Sequence, residues 1–491
     1  MSIRPYNGFA AANPYIRPKP TRMALPIKFG TDGWRAMIAR EFTVENVARI
    51  AHGTADWVKN QKLPLVAVVG HDCRFGGPLF AETVAKVFLY NGFEVHLSEG
   101  PVTTPMVSLG AKELNTGIGV IITASHNPPT DNGFKLKGNH GGPLLEADVK
   151  AVEKLIPDEY EFDLDAIDLD SYSETGKLKK AELEDMFVAK VEANFDLDAI
   201  RNSKMEFAYD AMYGSGQFVM RRLFPDITLV HCEHNPLFDG ISPEPILKNL
   251  GEFAEIIKLS GDIDCGLAND GDADRIALFD GEGNYVDSHH ILLLLIHYLH
   301  KVKGWNGKVG TGFSSTIKIN QMCEKYELDL DVVKIGFKHL CGIMITEDVL
   351  VGGEESGGIA VKGHIPERDG SWNGLIIWEF MAKSGKSLRE LIQEVYDVVG
   401  EFAFERNDLR IAQSLKEEIV AKCATGEFDH FGKYNVIKID DMDGWKYWLS
   451  DHEWVMIRPS GTEPVLRTYA EAKTKEDALA ILEACRVQIG A

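Results

Sequence analysis

The feature that most limits the fold of this chain is a repeated alternation of short apolar runs with helical patterns. Each apolar run has the length and the branched residues of one buried strand. Strands are predicted at Leu65–Val69, Gly117–Thr123, Met205–Tyr209, Ile227–His231, Gly266–Ala268, Ile276–Phe279, Lys308–Gly312 and Trp454–Ile457. Helices are predicted over Val44–Lys59, Leu79–Tyr90, Leu183–Asn194, Ser387–Val398 and Lys475–Val487. This alternation indicates α/β domains with parallel strands and crossover helices.

The length of 491 residues suggests two to four domains. Residues 158–185 are acidic and poor in large apolar residues, which is typical of a surface excursion or linker with a boundary near its end. Further boundaries fit near residues 288 and 400, and the last piece looks α+β. The predicted parts are a basic tail at 1–24 and domains at 25–182, 183–288, 289–400 and 401–491.

The tail has three arginines, one lysine, four prolines and no acid, which favours a flexible or polyproline segment. A transit peptide and an alternative start at Met23 stay open.

Composition excludes several classes of protein. The longest apolar run, Ile291–Ile296, is far shorter than the roughly 18 residues of a membrane helix, so we expect a buried helix and no membrane partner. The seven scattered cysteines contain no CxxC pair, which favours a reducing cytoplasm. A net charge of −22 argues against a nucleic-acid partner. A phosphorylated ligand would therefore need local cations.

The segment Thr123–Pro129, "TASHNPP", ends a predicted buried strand with residues that a turn alone does not require. Ser125 lies where open α/β sheets place their ligands and is a candidate nucleophile. The alternative is a serine that only stabilises a turn or caps a helix.

Asp270–Arg275, "DGDADR", lies between two short apolar strands. Three carboxylates at a spacing of two, Asp270, Asp272 and Asp274, repel one another unless a cation lies among them. Oxygen ligands alone suit Mg²⁺ before Ca²⁺. The positions that an EF-hand needs as Gly and Glu are occupied by Arg275 and Gly281, so the segment is a metal loop of another kind or a solvated acidic turn.

Two further loops follow predicted strands. Gly352–Gly358, "GGEESGG", brings Glu354 and Ser356 to a glycine-rich turn that could hold sugar hydroxyls, although a plain turn is an alternative. Arg458–Pro464, "RPSGTEP", offers an arginine, two hydroxyls and an open backbone, which together suit a phosphate.

With these four loops in this order, the chain resembles the α-D-phosphohexomutases, the family of phosphoglucomutase and phosphomannomutase. The motifs "FGTDGWR", "GHDCR" and "IGFK" match as well, and the resemblance runs from about Ile27 to the C-terminus. It implies three α/β domains with mixed sheets and a smaller α+β C-terminal domain around a central cleft.

The resemblance also implies the site residues. Ser125 would carry the transferred phosphoryl group and, with Asp270, Asp272 and Asp274, would hold Mg²⁺. Glu354 and Ser356 would bind sugar hydroxyls. The substrate phosphate would be bound by Arg458, Ser460, Gly461 and Thr462. The cations that would ring the cleft are Arg35, Arg74, Lys135, Arg275 and Lys338. Of these, Lys135 is the candidate general acid or base, and Arg35 is assigned to catalysis with it and Ser125.

The implied reaction moves phosphate between the 1- and 6-positions of a hexose phosphate through a bisphosphate, with glucose 1,6-bisphosphate as the priming activator. Gly336-Phe337-Lys338 and the "GEESGG" loop, with Gly358 in place of a histidine, are closer to phosphoglucomutases, so glucose phosphate is the expected substrate. Mannose phosphate and glucosamine phosphate are alternatives. A phosphatase and a binding protein without turnover are the alternatives outside the mutases.

Overall fold

The structure is a computed structural model that describes residues 26–30, 32–459 and 465–491 of the chain. The predicted basic tail lies outside the described residues. The described chain forms three α/β domains with mixed sheets and a fourth, α+β domain whose main sheet is antiparallel. The fold class predicted from the sequence is therefore confirmed.

The first domain is built around a seven-stranded sheet. Its strands are β1 (Trp34–Met37), β2 (Val66–His71), β3 (Glu94–Leu97), β4 (Ile118–Ile122), β5 (Asp131–Gly138), β6 (Gly142–Pro143) and β7 (Leu178–Lys180). Its helices are α1 (Val44–Asn60), α2 (Gly77–Tyr90), α3 (Thr104–Glu113), α4 (Glu146–Leu155) and α5 (Leu169–Glu174). The strand order is β1-β5-β4-β2-β3-β7, and β6 pairs with β5. The strands β4, β2, β3 and β7 run parallel, whereas β5 is antiparallel to both of its main neighbours.

The acidic segment 158–185 contains more regular structure than its composition indicates. It includes the short helix α5 and the edge strand β7, which pairs with β3. An edge strand contributes few buried side chains, and Lys179 and Lys180 are exposed, so a low apolar content does not exclude it.

The second domain has a five-stranded sheet in the order β12-β11-β10-β8-β9. These strands are β8 (Glu206–Asp210), β9 (Thr228–Val230), β10 (Ile263–Asn269), β11 (Ile276–Asp280) and β12 (Tyr285–Val286). The accompanying helices are α6 (Leu183–Asn194), α7 (Leu197–Arg201), α8 (Gly216–Leu223) and α9 (Gly251–Ser260).

The third domain has a four-stranded sheet in the order β14-β13-β15-β16. Its strands are β13 (Lys308–Gly312), β14 (Leu330–Val333), β15 (Val349–Gly353) and β16 (Ile359–Val361). Its helices are α10 (Ser288–His297), α11 (Lys318–Tyr326), α12 (Phe337–Met344), α13 (Gly370–Ser384) and α14 (Leu388–Val399). The apolar run Ile291–Ile296 is buried inside α10, as predicted, and no helix of the described chain is long and apolar enough to span a membrane.

The fourth domain has an antiparallel sheet in the order β17-β23-β22-β21-β20, with β18 and β19 paired separately. Its strands are β17 (Ala403–Arg410), β18 (His430–Phe431), β19 (Tyr434–Asn435), β20 (Lys438–Asp440), β21 (Trp445–Trp448), β22 (Trp454–Pro459) and β23 (Val465–Ala472). Two helices, α15 (Gln413–Thr425) and α16 (Lys475–Ile489), accompany these strands.

The first three sheets place one polar loop each at the same kind of position. In each sheet one central strand has its two successors along the chain on opposite sides. This strand is β2 between β3 and β4, β8 between β9 and β10, and β13 between β14 and β15. The loops that carry Ser125, Asp270 and Glu354 follow β4, β10 and β15, each of which is one of these successors. Ligands of open α/β sheets bind at such switch points, at the carboxyl ends of the strands.

Hydrophobic packing fixes how these loops meet. One core cluster includes side chains from all of the first three domains, among them Met106, Leu267 and Leu292. A smaller cluster joins the third domain to the fourth, with Phe313 and Ile317 against Trp454, Met456 and Tyr469. Buried apolar contacts between domains hold their strand ends around one centre.

Candidate active site

Ser125 lies in the loop directly after β4, with a left-handed backbone (φ 53°) and only 1% of its surface exposed. A non-glycine residue in this region is held there by its surroundings. Its N–H donates to Thr123 Oγ1 at 2.9 Å, and its Oγ donates to Asp270 Oδ2 in the second domain at 2.7 Å. The candidate nucleophile is therefore aimed at the acidic loop.

Arg74 holds the Ser125 loop in place. Its guanidinium donates to the carbonyl oxygens of Ser125 and Asn127 at 2.6 Å and to that of Pro128 at 2.8 Å. The Arg74 side chain is completely buried. The expectation that Arg74 faces the cleft with the other cations is corrected, because the backbone of the loop uses its donors.

The three aspartates of the second loop meet in the interior. Asp270, Asp272 and Asp274 are each fully buried, and one oxygen from each lies within 4.8 Å of the others. Burial and the charges of Asp274 and Asp272 raise the pKa of Asp270 well above its ordinary value. Mutually repelling carboxylates in a dry site are stabilised by a cation.

Two carboxylate oxygens of the aspartate group are free to bind a metal ion. Among the described residues, Asp272 Oδ1 and Asp274 Oδ1 are buried without a hydrogen-bond partner. Buried carboxylate oxygens rarely stay without a partner. A hard divalent cation such as Mg²⁺ binds through such oxygens, so the residues present fit the ion.

Lys135, from β5, is surrounded by carboxylates. Its Nζ lies 2.7 Å from Asp272 Oδ2, 2.9 Å from Asp274 Oδ2 and 2.9 Å from Asp32 Oδ2. Burial by itself lowers the pKa of Lys135, but the three carboxylates outweigh it and raise the pKa above its ordinary value. In this arrangement Lys135 keeps its proton, so it suits charge stabilisation better than the work of a base.

Arg368 and Asp32 also belong to the site, although their roles were not predicted from the sequence. Arg368 Nη2 lies 2.7 Å from Asp274 Oδ2 and also contacts Asp32, so the two residues extend the charged network into the first and third domains. Arg368 lies between β16 and α13, in the run Glu367-Arg368-Asp369, which is buried throughout. A fully charged run between two apolar elements is the sequence signal that could have indicated it.

His126, directly after Ser125, is neutral in this environment. Burial first, and then the charges of Arg275, Arg35 and Lys135, hold its pKa well below the ordinary value. Its Nδ1 lies 3.3 Å from Ser125 Oγ, and its Nε2 lies 3.5 Å from Arg275 Nη2. The imidazole therefore links Ser125 to Arg275, which also contacts Glu244 at 3.3 Å.

The third loop connects β15 to β16 and presents Glu354 and Ser356. Glu354 is 5% exposed, and its Oε1 accepts the backbone N–H of Gly336 at 2.6 Å. Burial, followed by the charge of Glu355, raises the pKa of Glu354 to about 7. Because one carboxylate oxygen is bound to the backbone, the orientation of Glu354 is fixed before a ligand arrives.

Gly358, at the end of this loop, provides the space for Arg368. A Cβ atom at position 358 would lie 2.5 Å from Arg368 Cδ. Any side chain here would therefore displace the arginine that contacts Asp274.

Two of the expected cleft cations contact the first domain. Lys338, near the start of α12, pairs with Glu146 Oε2 at 2.9 Å and so connects the third domain to the first. Arg35, in β1, donates from Nη1 to Asn127 Oδ1 at 2.8 Å in the Ser125 loop.

Arg458, at the end of β22, is held by Asp443. Asp443 Oδ1 lies 3.2 Å from Arg458 Nε, and Asp443 Oδ2 lies 3.3 Å from Arg458 Nη2. The same Oδ2 accepts the backbone N–H of Ile335 in the third domain at 2.8 Å. Asp443 thus orients the guanidinium group of Arg458 and links the fourth domain to the third. The other predicted residues of this loop, Ser460, Gly461 and Thr462, lie outside the described residues.

The structure brings one hydroxyl, three carboxylates and several cations into direct contact around Ser125. Such a set can hold a divalent cation and stabilise the negative charge of a phosphoryl group in transfer. The loop of Glu354 and the arginine Arg458 are linked to each other through neighbouring backbone groups: Gly336 donates to Glu354, and Ile335 donates to Asp443, which holds Arg458.

Comparison with known proteins covers nearly the whole chain. Four models of the phosphoglucomutase/phosphomannomutase family match in order: the alpha/beta/alpha domains I, II and III at residues 26–162, 185–283 and 287–399, and the C-terminal domain at 404–486. A Thermococcus kodakarensis protein named phosphoglucomutase/phosphomannomutase is 30% identical over 461 residues, which are 93% of this chain and 96% of that protein. The phosphoglucosamine mutase of Methanocaldococcus jannaschii is 30% identical over 428 residues, which are 85% of this chain and 90% of that protein.

Among solved structures, a protein of Thermus thermophilus that is named as a candidate phosphomannomutase is similar over its whole length. It has 30% sequence identity and a TM-score of 0.82, with coverage of 96% of this chain and 100% of that chain.

Proposed function

The chain belongs to the α-D-phosphohexomutase family, and we propose that it moves a phosphoryl group reversibly between the 1- and 6-positions of a hexose phosphate, with Ser125 as the carrier. The observation that carries this proposal is the 2.7 Å contact between Ser125 Oγ and Asp270 Oδ2. It places a buried hydroxyl against a group of acids that suits a divalent cation.

In the proposed reaction, phosphorylated Ser125 donates its phosphoryl group to the free 6-hydroxyl of a hexose 1-phosphate. The bond between phosphorus and Ser125 Oγ breaks, a bond to the sugar oxygen forms, and the hydroxyl proton passes to a nearby base. Ser125 Oγ becomes a hydroxyl again, and the sugar becomes a 1,6-bisphosphate. Transfer of the 1-phosphate back to Ser125 then yields the hexose 6-phosphate.

The residues around Ser125 stabilise the charge that moves during both transfers. Lys135, Arg275 and Arg368 are positive, and His126 is neutral and lies close to Ser125 Oγ. Asp270, Asp272 and Asp274, with the phosphate on Ser125, would hold Mg²⁺. When bound, Mg²⁺ neutralises negative charge on the phosphoryl oxygens. We assign Lys135 to electrostatic stabilisation, because its three carboxylate neighbours keep it protonated.

The phosphate that does not react needs a second anion site. We propose Arg458 with Ser460, Gly461 and Thr462 for this role. Arg458 has its guanidinium oriented by Asp443. Arginine can bind a phosphate through two parallel hydrogen bonds.

The sugar between the two phosphates is bound from several sides. Glu354 and Ser356 suit the hydroxyls, and the fixed orientation of Glu354 supports this role. We propose that Arg35, Arg275 and Lys338 line the cleft and supply positive charge, which a chain of net charge −22 needs locally.

The two transfers require the bisphosphate to turn round between them. One phosphate site and one transfer site serve both ends of the sugar, so the loop of Glu354 and Ser356 must accept the hexose in two orientations. The third and fourth domains meet through the Ile335 hydrogen bond to Asp443, the bonds of Thr316 and Ile317 to Glu471, and a small apolar cluster. Opening of the fourth domain at these contacts would allow the sugar to turn, and its closure would exclude water from the phosphorylated serine.

We propose glucose phosphate as the preferred substrate, with glucose 1,6-bisphosphate as the priming activator. Arg368 lies against Gly358 and leaves no room for a histidine at position 358 of the "GEESGG" loop. A loop without this histidine is the phosphoglucomutase type, which supports glucose phosphate. Mannose phosphate is the second candidate, and the name of the Thermococcus kodakarensis relative includes both activities. Glucosamine phosphate is the third, supported by the name of the Methanocaldococcus jannaschii relative.

The test is ³¹P NMR of the purified protein with Mg²⁺, a trace of hexose 1,6-bisphosphate and, in separate tubes, the 1-phosphates of glucose, mannose and glucosamine. We expect a 6-phosphate resonance to grow without inorganic phosphate, fastest with glucose. Inorganic phosphate as the only product would identify a phosphatase instead. Binding without any new resonance in the three tubes would identify a binding protein.

A further inference from the structure

Lys446, in β21 of the fourth domain, is a buried cation without a protein acceptor. It is 5% exposed, and its Nζ lies 4.1 Å from the ring centre of Trp454, 4.9 Å from that of Phe313 and 5.9 Å from that of Trp448. In the part of the chain that the structure describes, no carboxylate lies within 4.0 Å of this ammonium group and no oxygen accepts its hydrogen bonds.

Burial of such an ammonium group costs free energy unless another molecule accepts its hydrogen bonds. A buried ammonium group loses its hydration, and three aromatic faces restore only part of that free energy. Burial lowers the pKa of Lys446 to about 8, and the more distant charges of Glu471, Asp440 and Glu355 oppose this shift only partly. Three N–H donors therefore remain available to a ligand.

Lys446 lines a cavity of about 490 Å³ between the third and fourth domains. This volume is within the range of sites for small molecules. A second polar group on its wall, Ser315 Oγ, is also buried without a hydrogen-bond partner among the described residues. Two unpartnered polar groups, one from each domain, thus line the same cavity.

The rest of the wall defines the chemistry of the occupant. The rings of Phe313 and Trp448 line the cavity and offer apolar faces to C–H groups. Asp440 and Asp441, from the β20–β21 hairpin, provide carboxylate acceptors. Asp440 Oδ2 already accepts bonds from Lys438 Nζ at 2.9 Å and from Trp448 Nε1 at 2.7 Å, so Asp440 offers its other oxygen. An oxyanion suits Lys446 and Ser315, and hydroxyl groups suit the carboxylate oxygens.

We propose that this cavity is a second ligand site, which binds a small molecule made of an oxyanion and a hydroxylated body. A sugar acid, with a carboxylate, and a sugar phosphate both have this chemistry. Among the described residues, none of those assigned above to the transfer site lines the cavity. The cavity adjoins the loop of Glu354, because a Cβ atom at position 312 of its wall would lie 4.0 Å from Glu354 Cγ. Its described lining nevertheless differs from that of the transfer site, so binding at the two sites can be tested separately.

An occupant of this cavity would also affect Arg458. The hairpin turn that contributes Asp440 and Asp441 to the wall includes Asp443, which binds both Arg458 and Ile335. A ligand that contacts both domains stabilises their closed arrangement by its differential affinity. We therefore expect occupancy to strengthen the hold of Asp443 on Arg458.

The experiment is titration calorimetry of the full chain with three probes: gluconate, glucose 6-phosphate and neutral glucose. The variants are Lys446→Met, which keeps the volume of the side chain without its charge, and Lys446→Arg, which restores a cation. Arg458→Ala serves as the matched variant of the transfer site. Hydrogen exchange of residues 438–448 locates the binding.

We expect wild-type protein to bind gluconate at one site, with Lys446→Met weakening this binding about 10- to 100-fold and Lys446→Arg recovering part of it. Arg458→Ala should leave gluconate binding intact. Glucose 6-phosphate should occupy two sites on wild-type protein and one on each of Lys446→Met and Arg458→Ala. Binding of gluconate or glucose 6-phosphate should slow exchange in residues 438–448.

The proposal is overturned if Lys446→Met binds both anions as wild-type protein does, or if glucose binds at the cavity as tightly as gluconate. These outcomes are independent of the mutase assay. A protein without mutase activity that shows Lys446-dependent binding would refute the proposed function and support the second site.

Discussion

Ser125 Oγ donates a hydrogen bond of 2.7 Å to Asp270 Oδ2, and this bond joins the first domain to the second. The two residues are far apart in the sequence, and each follows a strand at the switch point of its own sheet. Their contact joins a potential nucleophile to a potential metal site, so it is the geometric basis of the proposed reaction.

Replacing Ser125 should therefore separate catalysis from binding. We predict that Ser125→Ala loses more than roughly 10³-fold in mutase turnover, because no carrier for the phosphoryl group remains. Binding of hexose phosphate should persist, as measured by calorimetry. Ser203→Ala, in a loop of the second domain, is the control and should retain full activity. Unimpaired turnover in Ser125→Ala would refute its role.

The acidic loop should control the response to metal. We predict that Asp272→Asn lowers turnover and weakens the dependence on Mg²⁺ together, because one anionic ligand is lost. Removal of Mg²⁺ from wild-type protein with a chelator should abolish turnover reversibly. Asp262→Asn changes an exposed acid in the same domain and should behave as wild type. An unchanged Mg²⁺ titration in Asp272→Asn would contradict the assignment.

Asp443 should act as a positioning residue through Arg458. We predict that Asp443→Ala raises the KM for hexose phosphate about 10-fold, the effect of losing about one charge-assisted hydrogen bond. Asp443→Asn should recover part of this loss, because its amide oxygen can still accept the Ile335 N–H. Asp451→Ala, at an exposed position nearby, is the control. A fall in thermal stability without a change in KM would assign Asp443 a structural role only.

Gly358 should be required for space, not for backbone freedom. We predict that Gly358→Ala lowers turnover and destabilises the protein by about 1–3 kcal/mol, because its Cβ would lie 2.5 Å from Arg368 Cδ. Gly342→Ala, inside α12, is the control: its Cβ would meet no atom within 4 Å. The control should be neutral or slightly stabilising in a thermal melt. Equal melting temperatures for the two variants would refute the steric argument.

Glu471 should make the docking of the fourth domain depend on pH. Burial raises its pKa from 4.5 to about 7, although it accepts hydrogen bonds from Thr316, Ile317 and Trp454. The folded protein thus keeps a proton that the unfolded chain releases at lower pH. This contribution to stability is complete below about pH 4.5 and is lost as the pH rises to about 7.

The loss amounts to at most about 3 kcal/mol. We predict that Glu471→Gln, which cannot ionise, removes this component, so that its melting temperature falls less between pH 5 and pH 8 than that of wild-type protein. Parallel melting curves for the two proteins over this range would show that Glu471 does not titrate there.

Much of the fold was accessible from the sequence because its signals are local. The predicted strand Gly117–Thr123 is β4, and the predicted helix Val44–Lys59 is α1 to within one residue at its C-terminal end. Apolar periodicity and strand length depend only on neighbouring residues. The edge strand β7 was not predicted, because its side chains are mostly exposed and its partner, β3, is distant in the sequence.

Sequence by itself determined which chemistry-bearing residues end the strands: Ser125, the three aspartates and Glu354 all lie in polar loops after apolar runs. Only the tertiary structure decided which of these residues touch and which other groups join them. Arg74 supports the Ser125 loop, Arg368 reaches Asp274, and Asp443 orients Arg458. These contacts depend on how separate domains pack, and the packing is set by buried surfaces that no local pattern encodes.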